Sequence, residues 1–226
     1  MAGLRRLRVL GIPFQQRRSH LVSAMQHCMR RSGAPMPAQT LPDLTLSTLP
    51  TSSCPERADW RDRLRDHLLR LGPDTRLNRF LGWTSDAAIA KYAARTAPVA
   101  LIEARVGDHL CGMAELHVRP GPWPVAEIAL SVEDAWHRRG IGAALFASAV
   151  RAARTRDVRE IWVFYLKSNL AIRKISERAG FTRIEDADPA MVSAHLGRSL
   201  AEDEAAAWNT APLPVPVKGP PANLPG

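Results

Sequence analysis

Between residues 43 and 185 the spacing of apolar positions switches repeatedly between two and about 3.6, and each switch predicts a new element. Residues 43–49 alternate leucine with polar residues and read as a strand. Residues 56–71 place Trp60, Leu64, Leu68 and Leu71 three to four apart, which predicts a helix, and Gly72-Pro73 stops it. Ser85-Asp86 reads as a helix start leading into 87–95. Two strands, 99–106 and 109–118, flank Gly107-Asp108, a hairpin signal. Residues 120–124 form a turn, 125–132 a further strand, and 133–139 a loop that opens into a helix over 141–156. A continuous apolar run at 161–166 predicts a buried strand, followed by a short helix at 169–179 and a short strand at 181–184. The order predicts an α+β domain with a mixed sheet.

The ends differ from this body. Residues 1–42 hold seven arginines and no Asp or Glu, so they carry +7 of the chain's net +9. They read as a basic, poorly ordered extension. Residues 189–208 have helix-like spacing, and 210–226 hold six prolines and read as an extended tail. The expected division is therefore an arm at 1–42, the domain at 43–185, and a helix with a Pro-rich tail at 186–226.

Composition removes several classes of protein. No apolar run approaches the ~20 residues that cross a bilayer, so no membrane partner is expected. The three cysteines (28, 54, 111) form no C-x-x-C pair, which excludes a disulfide scaffold and fits a reducing, cytoplasmic location. The seven histidines show no i,i+4 pair, and no metal site is expected. The body lacks a basic stripe interleaved with aromatics, so a nucleic-acid partner is expected only through the 1–42 arm.

Chemistry concentrates where the strand 125–132 runs through a short loop into His137-Arg-Arg-Gly-Ile-Gly142 and a helix begins at once. Glycines permit close backbone approach, and free N–H groups at a helix start hold phosphate oxygens, so a diphosphate-bearing ligand is expected. Arg138 and Arg139 add charge at the rim. A dinucleotide fingerprint fails because Leu145 stands at its third glycine position and the next strand ends in Lys167, and a Walker loop fails for want of G-K-[ST].

The segment 137–142 resembles the acyl-CoA motif Q/R-x-x-G-x-G/A of the GNAT (Gcn5-related N-acetyltransferase) superfamily, departing at its first position. Residues 169–181, from Asn169 to Gly180-Phe181, resemble the family's second cofactor motif. Residues 60–92 and Val125-Ala-Glu-Ile-Ala are similar to the acetyltransferase domain of bacterial protein lysine acetyltransferases. The resemblance implies a GNAT-like, mostly antiparallel sheet flanked by helices. It implies an N-acetyltransferase moving the acetyl group of acetyl-CoA directly to an amine, either a small molecule or a protein lysine. An acyl-CoA-binding sensor with little turnover is the alternative, and a homodimer that completes the acceptor site is compatible with both.

Under this resemblance Leu130, Val132, His137, Arg138, Arg139, Gly140, Gly142, Ala143 and Asn169 hold the cofactor, the diphosphate mainly through main-chain amides. The Val132 N–H is expected to face the thioester carbonyl. Glu127 is the expected general base, since a carboxylate flanked by Val125 and Ile128 is partly desolvated. Glu115 is second choice and Glu103 third. Ser176 stands where the family commonly has the tyrosine that protonates the thiolate, and Tyr165 is the substitute.

Overall fold

A computed structural model describes residues 43–51, 59–186 and 188–197. Within them a seven-stranded sheet runs in the order β1-β2-β3-β4-β5-β7-β6. The strands are β1 (Leu44–Pro50), β2 (Ala100–Val106), β3 (His109–Arg119), β4 (Val125–Val132), β5 (Glu160–Leu166), β6 (Thr182–Glu185) and β7 (Met191–Gly197). The described helices are α1 (Asp59–Arg70), α2 (Pro73–Phe80), α3 (Asp86–Arg95), α4 (Ile141–Arg154) and α5 (Leu170–Arg178).

Strands β1 to β4 form an antiparallel meander, with β2 and β3 joined at Gly107-Asp108 as the sequence predicts. Alternation along these strands divides the core in two. Ala114, Leu116, Ala126 and Ile128 face α4, which brings Leu145, Phe146 and Ala149 onto that side. Leu101 and Met113 face the layer of α1, α2 and α3, which supplies Trp60, Leu64, Leu68, Phe80 and Ile89. Ser85 caps α3 with its side chain, which accepts the Ala88 N–H.

Two expectations change. Gly72-Pro73 ends α1 but also starts α2, which the sequence reading omits. Proline at a first helical position loses an N–H that has no helical partner anyway, so the residue that stops one helix opens the next. Secondly, the helix expected across 189–208 is not formed over its first part. Residues 191–197 are strand β7, paired antiparallel with β6 through Thr182↔His195 and Ile184↔Ser193. Val192 and Ala194 bury their side chains against the α4 core, and this packing overrides the local helical spacing. The sheet thus continues past residue 185, while 1–42 and 198–226 lie outside the described residues.

Candidate active site

β4 and β5 run parallel only across Val125–Glu127 and Glu160–Trp162. Beyond Glu127 and Trp162 the two strands separate, and the gap is a cavity of about 600 Å³ with Leu130 and Val132 on one wall and Val163 and Tyr165 on the other. The start of α4 closes one end, with Gly140, Gly142 and Ala143 on the wall.

The hydrogen-bond alternation of the sheet aims backbone groups into this gap. Antiparallel strands alternate between residue pairs that exchange both hydrogen bonds and pairs that exchange none. The Glu133 N–H donates to the Cys111 carbonyl at 2.9 Å, and the register Gly112↔Val132 makes Cys111 and Glu133 opposite one another. Val132 and Leu130 are therefore the positions that do not bond to β3, and their N–H and C=O groups face the β5 side. The Val132 carbonyl accepts from His137 Nε2 at 2.8 Å, while its N–H faces the cavity.

At the closed end the chain leaves β4 through a 3₁₀ turn at Asp134–Trp136 and enters α4. Gly140 sits at the cap with φ 83°, a left-handed conformation that costs an ordinary L-residue about 1–2 kcal/mol. The first helical hydrogen bond is Ala144 N–H to Gly140 O at 3.0 Å, so the N–H groups of Ile141, Gly142 and Ala143 precede any helical partner. With the positive end of the helix dipole they form an anion cradle. Arg138, Lys174 and Arg178 add cationic side chains to the wall.

Of the residues expected to hold a cofactor, Leu130, Val132, His137, Arg138, Gly140, Gly142, Ala143 and Asn169 all border the cavity. Arg139 does not; its guanidinium lies over the Trp136 ring, 4.9 Å from the centroid. His137 borders the cavity but its amide is committed, donating to Asp134 O at 3.2 Å. Asn169 caps α5, its side chain accepting the Ile172 N–H at 3.3 Å.

The three glutamates separate clearly. Glu127 lies on the cavity wall, 5% exposed, on the sheet face toward α2 and opposite His117 of β3. Glu115 is fully committed instead. It is ion-paired with Arg79 and accepts from Tyr92 Oη at 2.8 Å and Thr96 Oγ1 at 3.2 Å. Burial alone would raise its pKa, but the Arg79 charge and its hydrogen bonds outweigh burial and hold it near 2. Glu103 accepts from Arg63 at 2.7 Å and Arg105 at 3.3 Å, away from the cavity.

The hydroxyls also separate. Ser176 is buried and donates to Arg173 O at 3.0 Å, and it does not border the cavity. Tyr165 does border it. Its phenol oxygen is buried and has no hydrogen-bond partner among the described residues.

Sequence reasoning missed two groups. One is a carboxylate–imidazole–hydroxyl chain behind β4: Glu133 Oε1 lies 3.3 Å from His67 Nδ1, and His67 Nε2 lies 3.0 Å from Ser131 Oγ. Arg70 Nε at 2.8 Å and His109 Nε2 at 2.9 Å also bond Glu133. Burial opposes ionisation of Glu133, but these bonds prevail and keep its pKa near 2. Burial lowers the pKa of His67 despite the carboxylate beside it. The network ties α1 to the strand end that carries Val132. The other group is Thr75, Asn78 and Arg79 on α2, which border the cavity near Glu127. Nothing in the linear pattern joins residues 63 to 66 positions apart, and the stop signal at Gly72-Pro73 hides α2.

Among the described residues no cluster of three or more His, Cys, Asp or Glu could hold a metal ion, and no helix is long and apolar enough to cross a membrane.

A strand gap that ends in a helix-start anion cradle has the shape to hold an extended, phosphate-bearing ligand. Residues 59–181 match the model of the Acetyltransferase (GNAT) family. The chain belongs to that family, whose acetyl donor is acetyl-CoA. Its fold is similar to the GNAT domain of S. lividans PAT, at 18% identity, TM-score 0.54, over 68% of this chain and 89% of that one. It is also similar to a GNAT-family acetyltransferase from Bacillus anthracis, at 12% identity, TM-score 0.50, over 67% and 94%. A putative acetyltransferase from Salmonella typhimurium, solved with acetyl-CoA, matches at 15% identity and TM-score 0.49 over 70% and 95%. No curated protein sequence matches the chain.

Proposed function

We propose that the protein is an amine N-acetyltransferase acting by direct transfer, with Glu127 as general base. The observation that carries this reading is the cavity itself. Unpaired β4 backbone faces a strand gap that ends in an anion cradle, and a buried carboxylate borders the same space. Acetyl-CoA supplies an activated acetyl group as a thioester. The amides of Ile141, Gly142 and Ala143 fit its diphosphate, with Arg138 and Lys174 adding charge, and the inward groups of Leu130 and Val132 fit the pantetheine amides as an added strand would.

An acceptor amine enters mostly protonated, since its pKa is near 10. Glu127 takes that proton, leaving a nitrogen lone pair to attack the acetyl carbonyl carbon. The Val132 N–H donates to the carbonyl oxygen as negative charge grows there. As the C–S bond breaks, Tyr165 gives its phenolic proton to the sulfur. The attacking nitrogen loses its second proton as it becomes an amide and that proton returns to the phenolate, while Glu127 releases the first to solvent. Ser176 has no part in this, because its hydroxyl is spent on the Arg173 carbonyl. The acceptor is a primary amine, of a small molecule or of a protein lysine. A cytoplasmic location fits the absence of closely spaced cysteine pairs.

The test is thiol release from acetyl-CoA across a panel of amines, amino acids and lysine peptides. Acceptor-dependent release is expected. Binding of acetyl-CoA without release for any amine would favour a sensor instead.

A further inference from the structure

The sharpest unanswered demand in the cavity belongs to Arg79. Its side chain is 2% exposed and borders the cavity from α2, beside Asn78. Nη2 is fully used, donating to Tyr92 Oη at 2.9 Å and pairing with Glu115. Nη1 is buried and has no hydrogen-bond partner among the described residues. A buried guanidinium nitrogen left without an acceptor is costly, because its hydration is lost and nothing replaces it. The charge itself is not in question, since burial opposes it but Tyr92 and Glu115 raise the pKa further above its ordinary value.

Position narrows what could answer the demand. Arg79 holds Glu115, and Glu115 stands opposite Ala129, two residues along β4 from Glu127. Two residues along a strand span about 7 Å. Glu127 and the Arg79–Glu115 ion pair therefore lie on the same sheet face, about two residues apart along β4. The other cationic side chains on the wall, Arg138, Lys174 and Arg178, come from the loop before α4 and from α5, around the anion cradle. Arg79 is the cation of the Glu127 end. A planar guanidinium edge with a spare nitrogen suits a carboxylate.

We infer that the acceptor is an α-amino acid or close analogue, its carboxylate held by Arg79 Nη1 and its amine facing Glu127. This rests on the acetyltransferase reading above and narrows its acceptor. The Arg79 charge is already balanced by Glu115, so what Arg79 offers the substrate carboxylate is the spare hydrogen-bonding capacity of Nη1 rather than an unpaired charge. Discrimination follows from the same contact: an amide or a decarboxylated amine leaves Nη1 unanswered.

The test uses the full chain at saturating acetyl-CoA. Each standard α-amino acid is compared with its primary amide and its decarboxylated amine, and with a terminally blocked peptide holding one internal lysine. At least one free acid should be acetylated on its α-nitrogen with kcat/KM about 10- to 100-fold above its amide and amine, the worth of one hydrogen bond to a charged group. Arg79→Lys should shrink that ratio toward one, mainly through KM. If the lysine variant does not fold, the acid-to-amide ratio of the parent still decides. Equal or better turnover of the amide, the decarboxylated amine or the blocked peptide overturns the inference while leaving acetyl transfer intact. Thermal stabilisation by acetyl-CoA without turnover of any amine overturns the acetyltransferase reading and this one with it.

Discussion

The backbone N–H of Gly72 donates to Asp134 Oδ2 at 2.7 Å, which fastens the start of α2 to the turn that leads from β4 into α4. Thr75 Oγ1 bonds the other oxygen of the same carboxylate. The wall that carries Asn78 and Arg79 is thus registered against the anion cradle by one aspartate. A Cβ at position 72 would overlap Asp134 Oδ2. Gly72→Ala should therefore push the Asp134 carboxylate aside and destabilise the fold by about 0.5–1.5 kcal/mol, the usual net worth of a lost hydrogen bond. Urea unfolding checks this, and the same substitution in an Asp134→Ala background should cost less.

Acid should destabilise the protein in two windows. The pKa of His67 is lowered by burial, so the folded state holds fewer protons on it than the unfolded chain. Stability from this group is complete above its ordinary value of 6.5 and is lost as pH falls below that. Glu115 and Glu133 are held near 2 against an ordinary 4.5, so their contributions are complete above 4.5 and disappear as pH falls from there toward 2. Melting temperature against pH should show both declines, and His67→Gln should remove the upper one.

Binding should depend on the α4 start. Acetyl-CoA at ~100 times Kd should add about 2.7 kcal/mol to the unfolding free energy. A Cβ at Gly142 would meet Ile175 Cδ1 at 3.5 Å, an ordinary contact, so a small side chain is accommodated. Gly142→Glu places bulk and negative charge in the cradle and should abolish the stabilisation without unfolding the protein. A thermal shift assay reads both.

Tyr165→Phe removes only the phenol oxygen, which has no hydrogen-bond partner among the described residues, so the fold should be unharmed. Turnover should fall by about 10²-fold or more if this group protonates the sulfur. Ser176→Ala should leave turnover almost unchanged. Single-turnover kinetics at several pH values distinguishes a lost proton donor from weakened binding.

Local signals carried most of the fold. The alternation in β1, the Gly107-Asp108 hairpin signal, the Ser85 cap and the glycines before α4 each act within a few residues, so they can be read along the chain. Pro73 was ambiguous in one dimension, because proline ends and begins helices with equal ease. β7 was hidden for a different reason: Met191–Gly197 is extended through pairing with β6 and packing on α4, which the local pattern does not contain. The cavity wall at the start of α4 was legible as a contiguous motif, with Arg139 turned away by its contact with Trp136. The ranking of glutamates by strand context puts Glu115 second to Glu127. Only the tertiary structure shows that Arg79, from an unread helix, immobilises Glu115 as a structural anion.

The central claim, that Glu127 accepts the amine proton, is tested most directly by Glu127→Gln on the parent's best acceptor. The side chain keeps its shape and loses its charge, and the α4 amides that fit the diphosphate are untouched. The thermal shift with acetyl-CoA should be preserved, while kcat/KM for the amine falls by about 10²–10⁴-fold. The acidic limb of the parent's pH profile should be absent from the variant. A Glu127→Gln protein that acetylates the amine at the parent's rate, with the parent's pH profile, would contradict the account.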